Sequence, residues 1–116
     1  MNPLPQHAFW ILTALASGPR HGYEIMRETA AVSGERVTLK ATTLYAALDR
    51  LEVDGLIELD REEVVNGRAR RYYRITEGGS ARLSDEVELL ERSAQVARAN
   101  LTSGRPATII PRVAVA

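Results

Sequence analysis

The 116-residue sequence predicts a mainly α-helical chain with one small antiparallel β-hairpin, a winged helix-turn-helix followed by one C-terminal dimerisation helix. Three observations predict it. Residues 40–54 place Leu44, Ala47, Leu48 and Leu51 within one narrow helical stripe. Residues 57–75 then read as two strands about Asn66-Gly67, with arginines clustered near the tip. Finally, Leu83, Val87, Leu90, Ala94, Ala97 and Leu101 recur at helical a/d spacing, the pattern of a self-pairing helix. A helix beside a basic hairpin is how such domains hold DNA. The expected divisions are a DNA-binding domain at 1–76, a dimerisation helix at 77–101 and a disordered tail at 102–116.

Each element has its own signals. The first helix is expected from Gln6 to about Ser17, with Phe9, Leu12, Leu15 and Ala16 as its apolar contacts, and Gly18-Pro19 ends it. The second runs from His21 or Gly22 to about Ser33, with Tyr23, Ile25, Met26 and Ala30 facing inward and Gly34 closing it. After a short link at 35–39 comes the third helix. Its outward face carries Thr42, Thr43, Ala46, Asp49, Arg50 and Val53, small and polar near the N-terminal end, as groove insertion requires. For the hairpin, a three-residue loop, Asn66-Gly67-Arg68, is expected, because it pairs Leu59 with Ile75 and Arg61 with Tyr73 and keeps Ile57, Leu59, Tyr73 and Ile75 on one side. That register sets Asp60 beside Arg74 and Glu63 beside Arg71, leaving Arg68 and Arg70 as the free charges. Thr76 suits the N-cap of the fourth helix, which Gly78 and Gly79 weaken.

Composition limits the functions available. Hydrophobic (45%) and charged (26%) content is ordinary for a globular protein. The absence of cysteine removes disulfides and thiolate chemistry, and fits a cytoplasmic location. Only His7 and His21 exist as histidines, thin material for a metal site, so no metal or cofactor is expected. The longest apolar run, residues 8–16, is too short to span a bilayer, and no basic residue precedes it, so a core helix outweighs a signal peptide and no membrane partner is expected. Net charge is zero, which argues against a general nucleic-acid coat but not against a local patch. All but one of the basic residues are arginine, which suits phosphate and guanine contacts and equally fits a codon bias.

The sequence resembles the PadR family of bacterial transcriptional regulators. The matching residues are Ile11-Leu12 with Leu15, Gly18 to Ile25 (Gly-Pro-Arg-His-Gly-Tyr-Glu-Ile), Thr43-Leu44-Tyr45, Leu48 to Glu52, Asp54 to Ile57, and Gly67 with Arg71 to Thr76 and Gly79. The resemblance implies a homodimeric repressor that binds an operator and is released in some members by a small planar or phenolic effector. It also implies that the C-terminal helix exchanges contacts across the dimer. Two positions depart from the family pattern: Thr42 stands where glycine is common, and Ala46 where proline is common. Some small relatives stack a flat ligand on a tryptophan of the C-terminal helix, but here that helix has no aromatic residue.

The candidate DNA-binding residues are Lys40, Thr42, Thr43, Tyr45 and Arg50 on the third helix, Tyr23 on the second, and Asn66, Gly67, Arg68 and Arg70 in the wing. Tyr23 and Tyr45 are each divided between core and phosphate contact, and His21 is expected to shape a helix start. Dimer contacts are expected from Leu83, Val87, Leu90, Ala94, Ala97 and Leu101, with Phe9 and Trp10. A small aromatic effector, if one binds, is expected against Phe9, Trp10, Ala94 and Ala97. The expected partners are thus double-stranded DNA and a second copy of the chain. The rival reading is a winged-helix protein–protein interaction module with incidental DNA binding. No nucleophile–base or carboxylate constellation points to an enzyme.

Overall fold

A computed structural model describes the backbone of residues 3–115 and the side chains of residues 3–104. In chain order its elements are α1 (Gln6–Ala16), β1 (Arg20–His21), α2 (Gly22–Val32), α3 (Ala41–Val53), β2 (Ile57–Val65), β3 (Arg68–Ile75) and α4 (Glu77–Val115). The chain divides into two compact units, Met1–Glu86 and Val87–Ala116.

The first unit is built around one apolar cluster. Ala8, Ile11, Leu12 and Leu15 of α1 meet Ile25 of α2, the Leu44, Ala47, Leu48 and Leu51 stripe of α3, and Ile57 and Tyr73 of the sheet. The stripe on α3 is the one expected. On α1 the buried face is rotated from the expectation: Phe9 is half-buried and Ala16 exposed, because Ala8, Ile11 and Ala14 take the inward positions. On α2, Tyr23 is 61% exposed rather than inward, and Thr29 fills the buried position one turn past Ile25.

Both helices of the helix-turn-helix end in the same way. Glu35 N–H donates to the Ala30 carbonyl and Gly34 N–H to that of Ala31; Leu56 N–H donates to Leu51 and Gly55 N–H to Glu52. Gly34 and Gly55 take the left-handed conformation that this cap demands (φ 66° and 76°). Between α2 and α3 the buried Ser33 organises the turn: its hydroxyl accepts from Val37 N–H (3.0 Å) and its carbonyl accepts from Arg36 Nε (2.9 Å).

The sheet is three-stranded in the order β1-β3-β2, antiparallel throughout. The sequence reading did not anticipate β1, whose two residues carry no periodic signal; Arg20 pairs with Tyr73 and His21 with Tyr72. The hairpin register corrects the expected one. Val65 pairs with Arg68, so the loop is Asn66-Gly67 alone, with both residues at positive φ (52° and 77°), as a two-residue hairpin turn of this hand requires. The register then shifts between Leu59 and Arg61, so that Ile57 meets Ile75, Leu59 meets Tyr73 and Arg61 meets Tyr72. Sequence reasoning assigned the register change to the loop, but the strand absorbs it as a bulge near Asp60. Ile57, Leu59, Tyr73 and Ile75 still share a face, the one that closes the core.

Thr76 caps α4: Gly79 N–H donates to Thr76 Oγ1 (2.9 Å), which itself donates to the Gly55 carbonyl (2.7 Å). Leu83 packs against the core cluster, and the part-buried Arg82 and Glu86 pair at 3.0 Å, with Glu86 also accepting from Leu4 N–H. The first turns of α4 thus belong to the first compact unit, which ends at Glu86. In the second unit Leu89, Leu90, Val96 and Leu101 are exposed. The backbone remains helical to Val115, past the expected end at Leu101 and through most of the expected tail. An established helix gains a hydrogen bond with each added residue, so isolated breakers weaken it without ending it; Ser103 Oγ also donates back to the Asn100 carbonyl. The side chains of the expected tail from residue 105 onward lie outside the described residues. No helix is long and apolar enough to cross a membrane among the described residues.

Candidate nucleic-acid interface

The N-terminus of α3 is open. Its N-cap, Lys40, is extended (φ −78°, ψ 155°) and makes no side-chain cap bond, so the first backbone N–H groups and the positive end of the helix dipole are free to meet an anion. Thr42, Thr43 and Ala46 are exposed on this end, and with His7, Ala47 and Arg50 they border a shallow concavity. Arg50 is 79% exposed and pairs with Asp54 one turn on (Nε–Oδ2 3.3 Å). Such a pair contributes only a few tenths of a kcal/mol, so Arg50 exchanges it readily for another anion.

Tyr45 faces a different way. Its ring end rests against Gly22 at the start of α2, and both border a cleft of about 640 Å³ whose far wall is the wing, with Asn66, Arg68, Arg70 and Arg71. Tyr23 stands at the same cleft with Arg27 over its ring at 5.7 Å. His21 fixes the start of α2: its N–H donates to Glu24 Oε1 (3.1 Å), and its ring meets Tyr72 edge-on at 5.2 Å. That is the structural role expected of it.

Charge in the hairpin is graded from base to tip. At the base Arg74 bonds Glu58 (2.9 Å) and Asp60 (3.1 Å). Above it Arg61 lies over the Tyr72 ring at 3.8 Å and bonds Asp60 (3.0 Å) and Glu63 (2.9 Å). The Arg61 hydrogen bond holds the Glu63 carboxyl below its ordinary value, so Glu63 stays ionised and keeps Arg61 neutralised. Arg71 lies 3.8 Å from Glu62, not beside Glu63 as the expected register placed it, and donates to Tyr73 Oη. Arg68 and Arg70 make no close ion pair among the described residues, but the register sets Glu63 opposite Arg70, whose charge adds to the lowering of that carboxyl. The Asp60–Arg74 pair matches the expectation.

The structure therefore brings Tyr23, Tyr45, Asn66, Arg68 and Arg70 to one cleft, with Lys40, Thr42, Thr43 and Arg50 elsewhere on α3. Gly67 sits in the wing turn. Sequence reasoning left Gly22 and Arg71 out of the interface; Gly22 reads as a helix start, and nothing local shows that a ring lies on it. Trp10 meets Phe9 edge-on at 5.1 Å, with Arg36 over its indole at 5.9 Å, so a cation and an aromatic edge already face it. Ala94 and Ala97 are exposed in the second unit.

Three helices, a β-wing and an open recognition-helix end define a winged helix-turn-helix protein. The model of the transcriptional regulator PadR-like family matches residues 11–85, and the chain belongs to that family. It is 37% identical over 89 residues to the transcriptional regulator Rv3488 of Mycobacterium tuberculosis, covering 77% of this chain and 66% of that protein. Among solved structures it is similar to a PadR family transcription regulator from Clostridium difficile R20291 (TM-score 0.70, 25% identity, 84% of this chain and 99% of that one). It is also similar to Bacillus subtilis PadR, solved in complex with operator DNA (TM-score 0.62, 25% identity), with 69% of this chain covered and 46% of that one.

Proposed function

We propose that this chain is a sequence-specific, DNA-binding transcriptional repressor that acts as a dimer on a pseudo-palindromic operator. The observation that carries the reading is the charge gradient of the hairpin: acids bond the arginines of its base, while Arg68 and Arg70 form no close ion pair among the described residues and line a cleft shared with Tyr23 and Tyr45. In this reading α3 enters the major groove by its N-terminus, so that Thr42 and Thr43 meet base edges and Lys40 meets phosphate. The wing arginines then hold the adjacent backbone. The exposed apolar residues of α4, Leu90 and Leu101 among them, support pairing with a second copy, which sets two recognition helices about one helical turn apart. The operator complex of Bacillus subtilis PadR supports the same mode for a relative.

The experiment is a gel shift with the DNA upstream of the chain's own gene, combined with light scattering of the complex. The expected result is two chains per operator duplex, resistant to excess unrelated duplex, with Thr42→Gly altering which sequences are preferred. Equal competition by unrelated DNA, or one chain per duplex, contradicts the proposal.

A further inference from the structure

Tyr45 approaches Gly22 more closely than a side chain at position 22 would allow. A Cβ placed on Gly22 would lie 2.6 Å from Tyr45 Oη, 3.1 Å from Cζ and 3.4 Å from Cε1. The phenol end of Tyr45 thus occupies the space a side chain at position 22 would take. Gly22 is buried beneath it, while Tyr45 itself is 52% exposed. The Tyr45 hydroxyl has no hydrogen-bond partner among the described residues.

The hydroxyl sits in a setting that selects for an anion. The cleft it shares with Tyr23 is lined by Arg68, Arg70 and Arg71 and by no carboxylate. Thr42, Thr43 and Ala46 border a different concavity, so Tyr45 is turned from the face of α3 suited to base edges toward the wing. A hydroxyl donor opposite guanidinium groups in a cleft without carboxylates suits a phosphate oxygen.

Resting on the proposed DNA-binding function, we propose that Gly22 is a positioning residue for DNA contact. Its lack of a side chain lets the Tyr45 phenol lie against the start of α2, and this holds the hydroxyl where it donates to a backbone phosphate that Arg68 and Arg70 approach from the wing. An alanine at position 22 pushes the phenol aside. The displaced atom is the far end of a flexible side chain, and alanine is favoured over glycine in a helix, so the fold survives while the contact is lost.

The test measures binding of the full chain to its upstream duplex, by fluorescence anisotropy, for Gly22→Ala, Tyr45→Phe and the double variant, with thermal unfolding of each. A lost phosphate hydrogen bond predicts binding about five- to tenfold weaker for each single variant, on specific and unrelated duplex alike. The double variant is expected to be no weaker than either single one, because both remove the same contact. The salt dependence should stay unchanged, since no cation is removed. Multiplying losses in the double variant, or wild-type affinity for Gly22→Ala, overturns the proposal. If Gly22→Ala does not fold, Tyr45→Phe decides: undiminished affinity overturns the proposal, and a five- to tenfold loss upholds the hydroxyl contact. Absence of DNA binding by the wild-type chain overturns the functional reading itself. If wild type binds and Arg68→Ala weakens it while Gly22→Ala has no effect, only the positioning role falls.

Discussion

Thr29 is fully buried on α2, and its hydroxyl finds no partner among the described residues. An unsatisfied buried hydroxyl costs about 1–3 kcal/mol, and valine offers nearly the same shape without it. Thr29→Val is therefore expected to raise stability by about 1 kcal/mol and Tm by several degrees; a lower Tm in a thermal melt would show that the hydroxyl is in fact bonded. The position was hidden in the sequence because threonine on a helix reads as polar surface. The α3 stripe was legible for the opposite reason: Leu44, Leu48 and Leu51 leave only one inward face. Arg68 was legible as a wing-tip charge beyond the reach of the acids at the base, whereas the observed register sets Arg70 opposite Glu63, whose carboxyl it helps to hold down without a close ion pair.

At the scale of the element, hydrophobic periodicity located every helix of the first unit and the hairpin, but it could not choose between two ways of keeping four apolar residues on one face. A longer loop and a bulge give the same alternation. Asn66-Gly67, with both residues at positive φ, fits the two-residue turn and leaves the bulge to correct the faces. Glycines of α4 show a similar limit. By propensity alone Gly79 weakens the helix, and alanine there would help by about 1 kcal/mol. In the structure a Cβ at Gly79 meets the Leu56 carbonyl in overlap and lies 2.8 Å from Ile75 Cγ1. Backbone cannot yield as a side chain can, so Gly79→Ala is expected to cost about 1–3 kcal/mol in urea unfolding. A gain in stability would mean that α4 starts further from the sheet than described. The strand β1 remained illegible because two residues pair through backbone groups that any sequence offers.

For the whole molecule, a net charge of zero conceals an arrangement in which most arginines are bound to acids or carbonyls within the first unit. Arg20 shows this: it donates to the Ala14 carbonyl (3.0 Å) and reaches Glu28, and so holds the end of α1 rather than facing a ligand. What is left for DNA is a small set of charges at the wing tip together with the open end of α3, a set that the proposed dimer would double. Composition could not reveal this, because it counts charges without their partners. The most direct measurement is the salt dependence of operator affinity for wild type, Arg68→Ala and Arg74→Ala. Each phosphate contact contributes about 0.9 to the slope of log affinity against log salt, so Arg68→Ala should flatten it by about two per dimer and weaken binding to all sequences. Arg74→Ala, already neutralised by Glu58 and Asp60, should leave the slope as in wild type. An unchanged slope for Arg68→Ala, or equal flattening by both variants, would contradict the account.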